Sequence, residues 1–203
     1  MSLFTFATAM YESGDWESAP NLPAAVVDTV ARYTDLRVAP NGVNVPLGSQ
    51  DILQHPFVWL TGHLPVRFTE AERRYLKKFV DRGGFMVIDD HNHDIDGIFH
   101  KTATEEIVRT FGPLEEVPNN HELYRCFFTF DDGPPTTSHE LNGWGDQLVH
   151  EHLLAVMNGD RIGLLYSNKD YSSEWNFLPE TKRFMAVDPT RFGVNMVVYA
   201  LTR

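Results

Sequence analysis

The densest set of chemically capable side chains in this sequence is one short run, Asp89-Asp90-His91-Asn92-His93-Asp94. Neutral imidazoles and carboxylates suit Zn, Mn or Fe, and a His-x-His pair in an extended loop turns both rings to the same side. His63 directly follows an apolar run and a glycine, and with Asp89, His91 and His93 it makes a candidate metal set for Zn or Mn. Without a metal, the same groups can act as an acid and base pair. A plainer reading has Asp89 or Asp90 cap its own turn while the histidines face water or hydrogen-bond locally.

Other candidates sit at corresponding places. Asp15 and Trp16 form one pair, with the indole either a stacking platform for a sugar or a cover for the sheet edge. Ser167, Asn168 and Asp170 form another, although Ser167 lies in no Gly-x-Ser-x-Gly elbow and the last two read first as turn formers. His150 and His152 alternate with Glu151 and read as exposed. The run at 91–96 departs from the His-x-His-x-Asp-His motif of metallo-β-lactamase-like hydrolases, because Ile95 and Asp96 stand where Asp and His are required. No glycine-rich phosphate loop is present, so no nucleotide cofactor is indicated.

These residues need elements to carry them. Alternation over Leu3 to Met10 predicts a first strand, and Asn21 with Pro23 predicts a helix start, with Leu22, Val26, Val27, Val30 and Ala31 on its buried face. Leu36 to Val38 reads as a short strand and Pro40 to Gly48 as loop. Phe57 to Thr61 and Phe85 to Ile88 are apolar runs suited to strands covered on both faces. Thr69-Glu-Ala-Glu72 matches a capping box that opens a helix ending at Gly83-Gly84. Thr102 to Glu105 matches a second box, for a helix closing at Gly112-Pro113.

Further on, Phe127 to Phe130 reads as a strand and Asp131 to Gly145 as an irregular excursion. Leu153 to Met157 and Arg161 to Tyr166 flank Asn158-Gly159, a hairpin signal. A last helix runs from Asp188-Pro189 to Leu201, with Asn195 satisfying a backbone group in the core and Tyr199 in the core with its hydroxyl at the rim. Strands alternating with helices over short connections predict a mostly parallel sheet with helices on both faces, plus an antiparallel hairpin. Ligands in such sheets bind beyond the carboxyl ends of the strands, so the loops after Met10, Thr61, Ile88 and Tyr166 are the ones to watch.

Bulk composition narrows the function classes. A chain of 203 residues with 42% hydrophobic content can bury a core as one domain spanning 1–203. A net charge of -11 argues against a nucleic-acid surface, since the one basic cluster, Arg73, Arg74, Lys77 and Lys78, reads as a solvated helix face. No apolar stretch reaches the roughly 20 residues of a membrane span, so no membrane insertion is expected. The lone Cys126 implies no internal disulfide. A cytoplasmic location is the expectation for the chain as given, with export compatible if a leader has been removed.

The sequence also resembles a known family. Gly14-Asp15-Trp16, the Leu-Thr-Gly-His run ending at His63, and Arg82-Gly-Gly-Phe-Met-Val-Ile-Asp-Asp90 occur in the order of a bacterial domain-of-unknown-function family. Tyr166-Ser-Asn-Lys-Asp170 with Trp175, and Gly193 to Leu201, complete the pattern. The resemblance implies a three-layer αβα fold, flavodoxin-like and similar to class I glutamine amidotransferases and trehalose-utilisation-type domains. Amidotransferases carry a Gly-x-Cys-x-Gly elbow, which is missing here: the corresponding strand runs into Asp89-Asp90-His91, and Cys126 lacks flanking glycines. Glutamine hydrolysis is therefore not expected.

Three readings follow. The chain binds a small polar ligand, such as a carbohydrate, at the carboxyl-end rim; or it is a metal-dependent hydrolase; or it is an interaction domain of a larger assembly. The sequence names no protein partner.

Overall fold

The computed structural model describes residues 3–176 and 187–203. Seven strands form one sheet in the order β2-β1-β3-β4-β7-β6-β5. β1 (Ala7–Met10), β2 (Val43–Pro46), β3 (Phe57–Gly62), β4 (Phe85–Asp90) and β7 (Arg161–Ser167) pair in parallel. β6 (Leu154–Asn158) and β5 (Glu115–Glu116) extend the sheet in antiparallel sense. The fold is thus mixed α/β, with a mostly parallel sheet and an antiparallel part.

β3 and β4 are buried at every residue, as their unbroken apolar runs require. Their side chains alternate between two apolar clusters. Phe57, Trp59, Phe85 and Val87 pack with residues of α1 (Leu22–Tyr33), α5 (Tyr171–Asn176) and α6 (Val187–Thr202). Val58, Leu60, Met86 and Ile88 pack with α2 (Glu70–Asp81) and α3 (Ile98–Phe111). The α2 capping box is formed as expected, Thr69 accepting from Glu72 N and Glu72 from Thr69 N. Asn195 accepts from Phe128 N and donates to Leu123 O and Phe128 O inside the core.

Several expected elements differ. The second strand is not Leu36 to Val38, which contributes a single bridge from Val38 to Phe4; it is Val43–Pro46, inside the segment read as loop. As an edge strand with only Val45 buried, it needs no apolar alternation and tolerates a terminal proline. Thr102 does not cap a helix. α3 begins four residues earlier, after Gly97, and the Thr102 hydroxyl donates to Ile98 O and accepts from Val66 N.

Phe127 to Phe130 is not a strand either, because Asn195 takes the backbone of Phe128, and the Phe128 and Phe130 rings pack on Tyr33 and Phe192. Asn21 makes no capping bond and instead pairs with Asn176, while Ala31 is exposed. The excursion at 131–145 contains a short helix, α4 (Ser138–Asn142), opened by a capping box of Thr137 and Glu140. At the hairpin, Asn158 pairs with Arg161, so Gly159 and Asp160 form the turn and Gly159 alone carries the positive φ.

Candidate functional site

Strand order reverses between β1 and β3, because β2 lies on the outer side of β1 while β4 and β7 follow on the other. A crevice at the carboxyl ends of the strands on either side of such a point is where open α/β sheets hold ligands. Here β1 delivers Tyr11 and Asp15, β3 delivers Gly62 and His63, and β4 delivers His91.

Asp15 organises the β3 exit. Its Oδ1 accepts from the backbone N–H groups of His63 (2.8 Å) and Leu64 (3.0 Å), and its Oδ2 lies 2.7 Å from His63 Nδ1. Burial alone would raise the Asp15 pKa, but the His63 ring and the backbone N–H groups outweigh it and hold the carboxyl below its usual range. Gly62 is required at this spot, since a Cβ would collide with the Tyr11 hydroxyl and come within 2.7 Å of Asp15 Oδ1.

His91 is held in a matching way. Its Nδ1 lies 2.6 Å from Asp170 Oδ1 and 3.3 Å from Ser173 Oγ. Burial disfavours the charged ring, yet the hydrogen bond and charge of Asp170, with Asp89 and Asp15 beyond, raise its pKa. Asp170 adopts a left-handed backbone (φ 56°), accepts from Ser173 N, and places its other oxygen 3.1 Å from His139 Nε2. Asn92 ties the two loops together by donating to His63 O. The His63 and His91 ring centroids stand 4.4 Å apart. Among the described residues, Nε2 of neither ring has a hydrogen-bond partner. The rim therefore presents two aspartate-oriented imidazoles side by side.

The sequence profile of the domain of unknown function DUF4159 matches residues 5–201, a span that includes every residue of this rim. The chain belongs to the DUF4159 family. No curated protein matches it.

In this DUF4159 domain the other candidates take different places. Asp89 lies beneath the rim, with Oδ2 accepting from Ser172 N and Oγ and Oδ1 from Tyr171 N, so it anchors the start of α5. Burial, then the charge of Asp170, push its pKa well above the usual carboxylate range. Asp90 is also buried and accepts from Asn92 N; burial pushes it up to about 7. Ser167 is buried and accepts from Lys169 N. Trp16 is partly buried against the α2 and α3 side of the core.

The expected set of His63, Asp89, His91 and His93 is divided by the backbone. His93 has φ 50°, a left-handed turn that breaks the extended geometry in which His-x-His rings share a side. Its ring Nδ1 meets Asn168 O at 2.5 Å, and its ligand atoms cluster with those of Asp146 and His150. His150 is correspondingly not the exposed residue the sequence suggested: its Nε2 sits 2.9 Å from Asp146 Oδ2. His139, Asp146 and Ser173 were missed, and the Thr137-Ser-His-Glu140 capping pattern was a local signal for the helix that carries His139 alone.

Cys126 is distant from this chemistry. It donates to Asn195 O, and burial raises its thiol to about 11. Among the described residues no helix is long and apolar enough to cross a membrane.

Proposed function

We propose that this DUF4159 domain binds a small polar ligand at the carboxyl-end rim between β1, β3 and β4, with His63 and His91 as its principal contacts. The observation that carries this reading is the pair of imidazoles 4.4 Å apart, each oriented through Nδ1 by its own aspartate, Asp15 or Asp170. Fixing Nδ1 leaves Nε2 on each ring to meet a ligand, the arrangement by which a second group sets the working nitrogen of a histidine. A polyhydroxylated molecule suits such a pair, because each hydroxyl both donates and accepts. Trp16, next to Asp15, supplies a partly exposed indole for stacking on a sugar ring.

The same groups can move a proton on what they bind, with water as the nucleophile in a hydrolytic version of this reading. Ser173 does not complete a nucleophilic triad, since its Oγ meets the same His91 nitrogen that Asp170 occupies. We further place the domain with class I glutamine-amidotransferase-like, three-layer αβα folds related to trehalose-utilisation-type domains. Support comes from the parallel order β2-β1-β3-β4-β7 and from the two apolar clusters that divide the helices.

A thermal-shift screen of mono- and disaccharides, polyols and small hydroxy acids tests the reading. At least one of these classes should raise the Tm of the wild type and not of His63→Ala or His91→Ala. Equal stabilisation of all three proteins, or of none, contradicts it.

A further inference from the structure

A second cluster lies apart from the rim pair, in the contact between the loop after β4 and the segment at 144–150. Here His93, Asp146 and His150 offer one ligand atom each, all within 4.8 Å of one another. The His93 Nε2 to Asp146 Oδ1 separation is 3.4 Å and the His150 Nε2 to Asp146 Oδ2 separation is 2.9 Å. Ligand atoms of a tetrahedral ion with bonds of about 2.0–2.1 Å stand about 3.3 Å apart, so the spacing is that of a coordination shell.

The hydrogen-bond chemistry points the same way. His93 Nδ1 is 2.5 Å from Asn168 O and must donate to it, which leaves a lone pair on Nε2 of the neutral ring. That lone pair faces two further acceptors, Leu148 O at 3.1 Å and the Asp146 carboxylate. His150 Nε2 is placed between a carboxylate oxygen at 2.9 Å and the Asn168 amide nitrogen at 3.1 Å, and one ring nitrogen cannot donate to the first while accepting from the second. A cation among these atoms turns every conflicting lone pair into a ligand.

The supporting shell is already built. Asn168 O fixes the His93 tautomer as backbone carbonyls do behind metal-bound histidines. Leu148 N and Ile95 N donate to the two Asp146 oxygens. Lys169, itself fully buried and paired with Glu140, donates to His150 O. Gly145, at φ 62°, lets the segment approach His93 so closely that a Cβ would overlap its carbonyl oxygen. His150 and Asn168 also line a cavity of about 380 Å³ together with His100, His152, Glu116 and Tyr166, which gives an ion a path in and room for a further ligand.

We propose that His93, Asp146 and His150 form a site for one divalent transition-metal ion of the zinc class, separate from the rim pair and independent of the reading given to it. Calorimetric titration of the chelator-stripped full chain with Zn(II), with circular dichroism as the folding control, tests it. The wild type should bind one equivalent, and His150→Ala and Asp146→Asn should bind at least about 100-fold more weakly, since loss of even a supporting partner costs 10–100-fold. His63→Ala should bind as the wild type does. Folded wild type that takes up no Zn(II) would overturn the proposal. Retained binding in both cluster variants, or loss confined to His63→Ala, would overturn it by placing the ion elsewhere.

Discussion

His91 Nδ1 and Asp170 Oδ1 meet at 2.6 Å although the residues are 79 positions apart in the chain, one at the end of β4 and the other just after β7. The contact exists because β4 and β7 are parallel neighbours, Asp89 standing opposite Ser167, so that both strands release their loops at the same rim. Asp170 is fully buried and the His91 side chain is 8% exposed, whereas His63 is 43% exposed. The rim thus has one sheltered and one open imidazole.

That difference predicts unequal costs. His63→Ala should change stability by less than about 1 kcal/mol, because the backbone N–H groups of His63 and Leu64 remain on Asp15. Asp170→Ala should cost about 2–4 kcal/mol, since it strips His91 and Ser173 N of a buried acceptor. Urea unfolding of the two variants checks the ordering.

The depressed Asp15 pKa fixes the sign of one pH effect. A carboxyl whose folded pKa lies below its unfolded value stabilises the fold fully above the unfolded pKa, and loses that contribution as pH falls through the folded one. The stability gap between wild type and Asp15→Asn should therefore be constant from neutrality down to about pH 5 and close below about pH 4. Urea midpoints at a series of pH values measure it.

Gly62→Ala should cost about 1–3 kcal/mol and weaken ligand binding, because the new methyl would displace the Tyr11 hydroxyl and Asp15 together. Comparison of its Tm and binding with those of His63→Ala separates the two effects, since only the glycine variant should lose both.

Cys126, with its thiol raised to about 11, should resist an aromatic disulfide reagent at pH 8 in the folded protein and react fully in urea. Cys126→Ala should bind ligand as the wild type does and show no change in any ammonia release from glutamine.

Val87 lies in the middle of β4 with no exposure, and Val87→Asp should prevent folding, an unpaired carboxylate there having no compensating partner. Soluble expression with native circular dichroism would contradict the placement.

What was legible in the sequence was what local pattern controls. The apolar runs of β3 and β4 and the Thr69 capping box are short-range signals, and each led to the element observed. The edge strand at 43–46 was not legible because an edge needs no alternating apolar face. Thr102 carried a false signal, since the spacing of a capping box also fits a threonine that bonds back within a helix and accepts from a distant loop.

At the site, the strand exits that carry Asp15, His63 and His91 could be inferred, because parallel strands share a direction. The divergence of His91 and His93 could not, as it turns on one left-handed φ at His93. Asp146 and His150 were hidden for a different reason: they reach His93 from a segment more than 50 positions on, and only tertiary packing brings it there.

The most direct test of the rim reading is long-range proton–nitrogen correlation spectroscopy of the histidine rings, recorded on the 15N-histidine-labelled chain with and without the strongest stabiliser among the sugars, polyols and hydroxy acids. The Nε2 resonances of His63 and His91 should shift together as the ligand saturates, while those of His121 and His152, which bond Leu123 N and Asn119 away from the rim, stay in place. Saturation that leaves His63 and His91 unmoved would contradict the account.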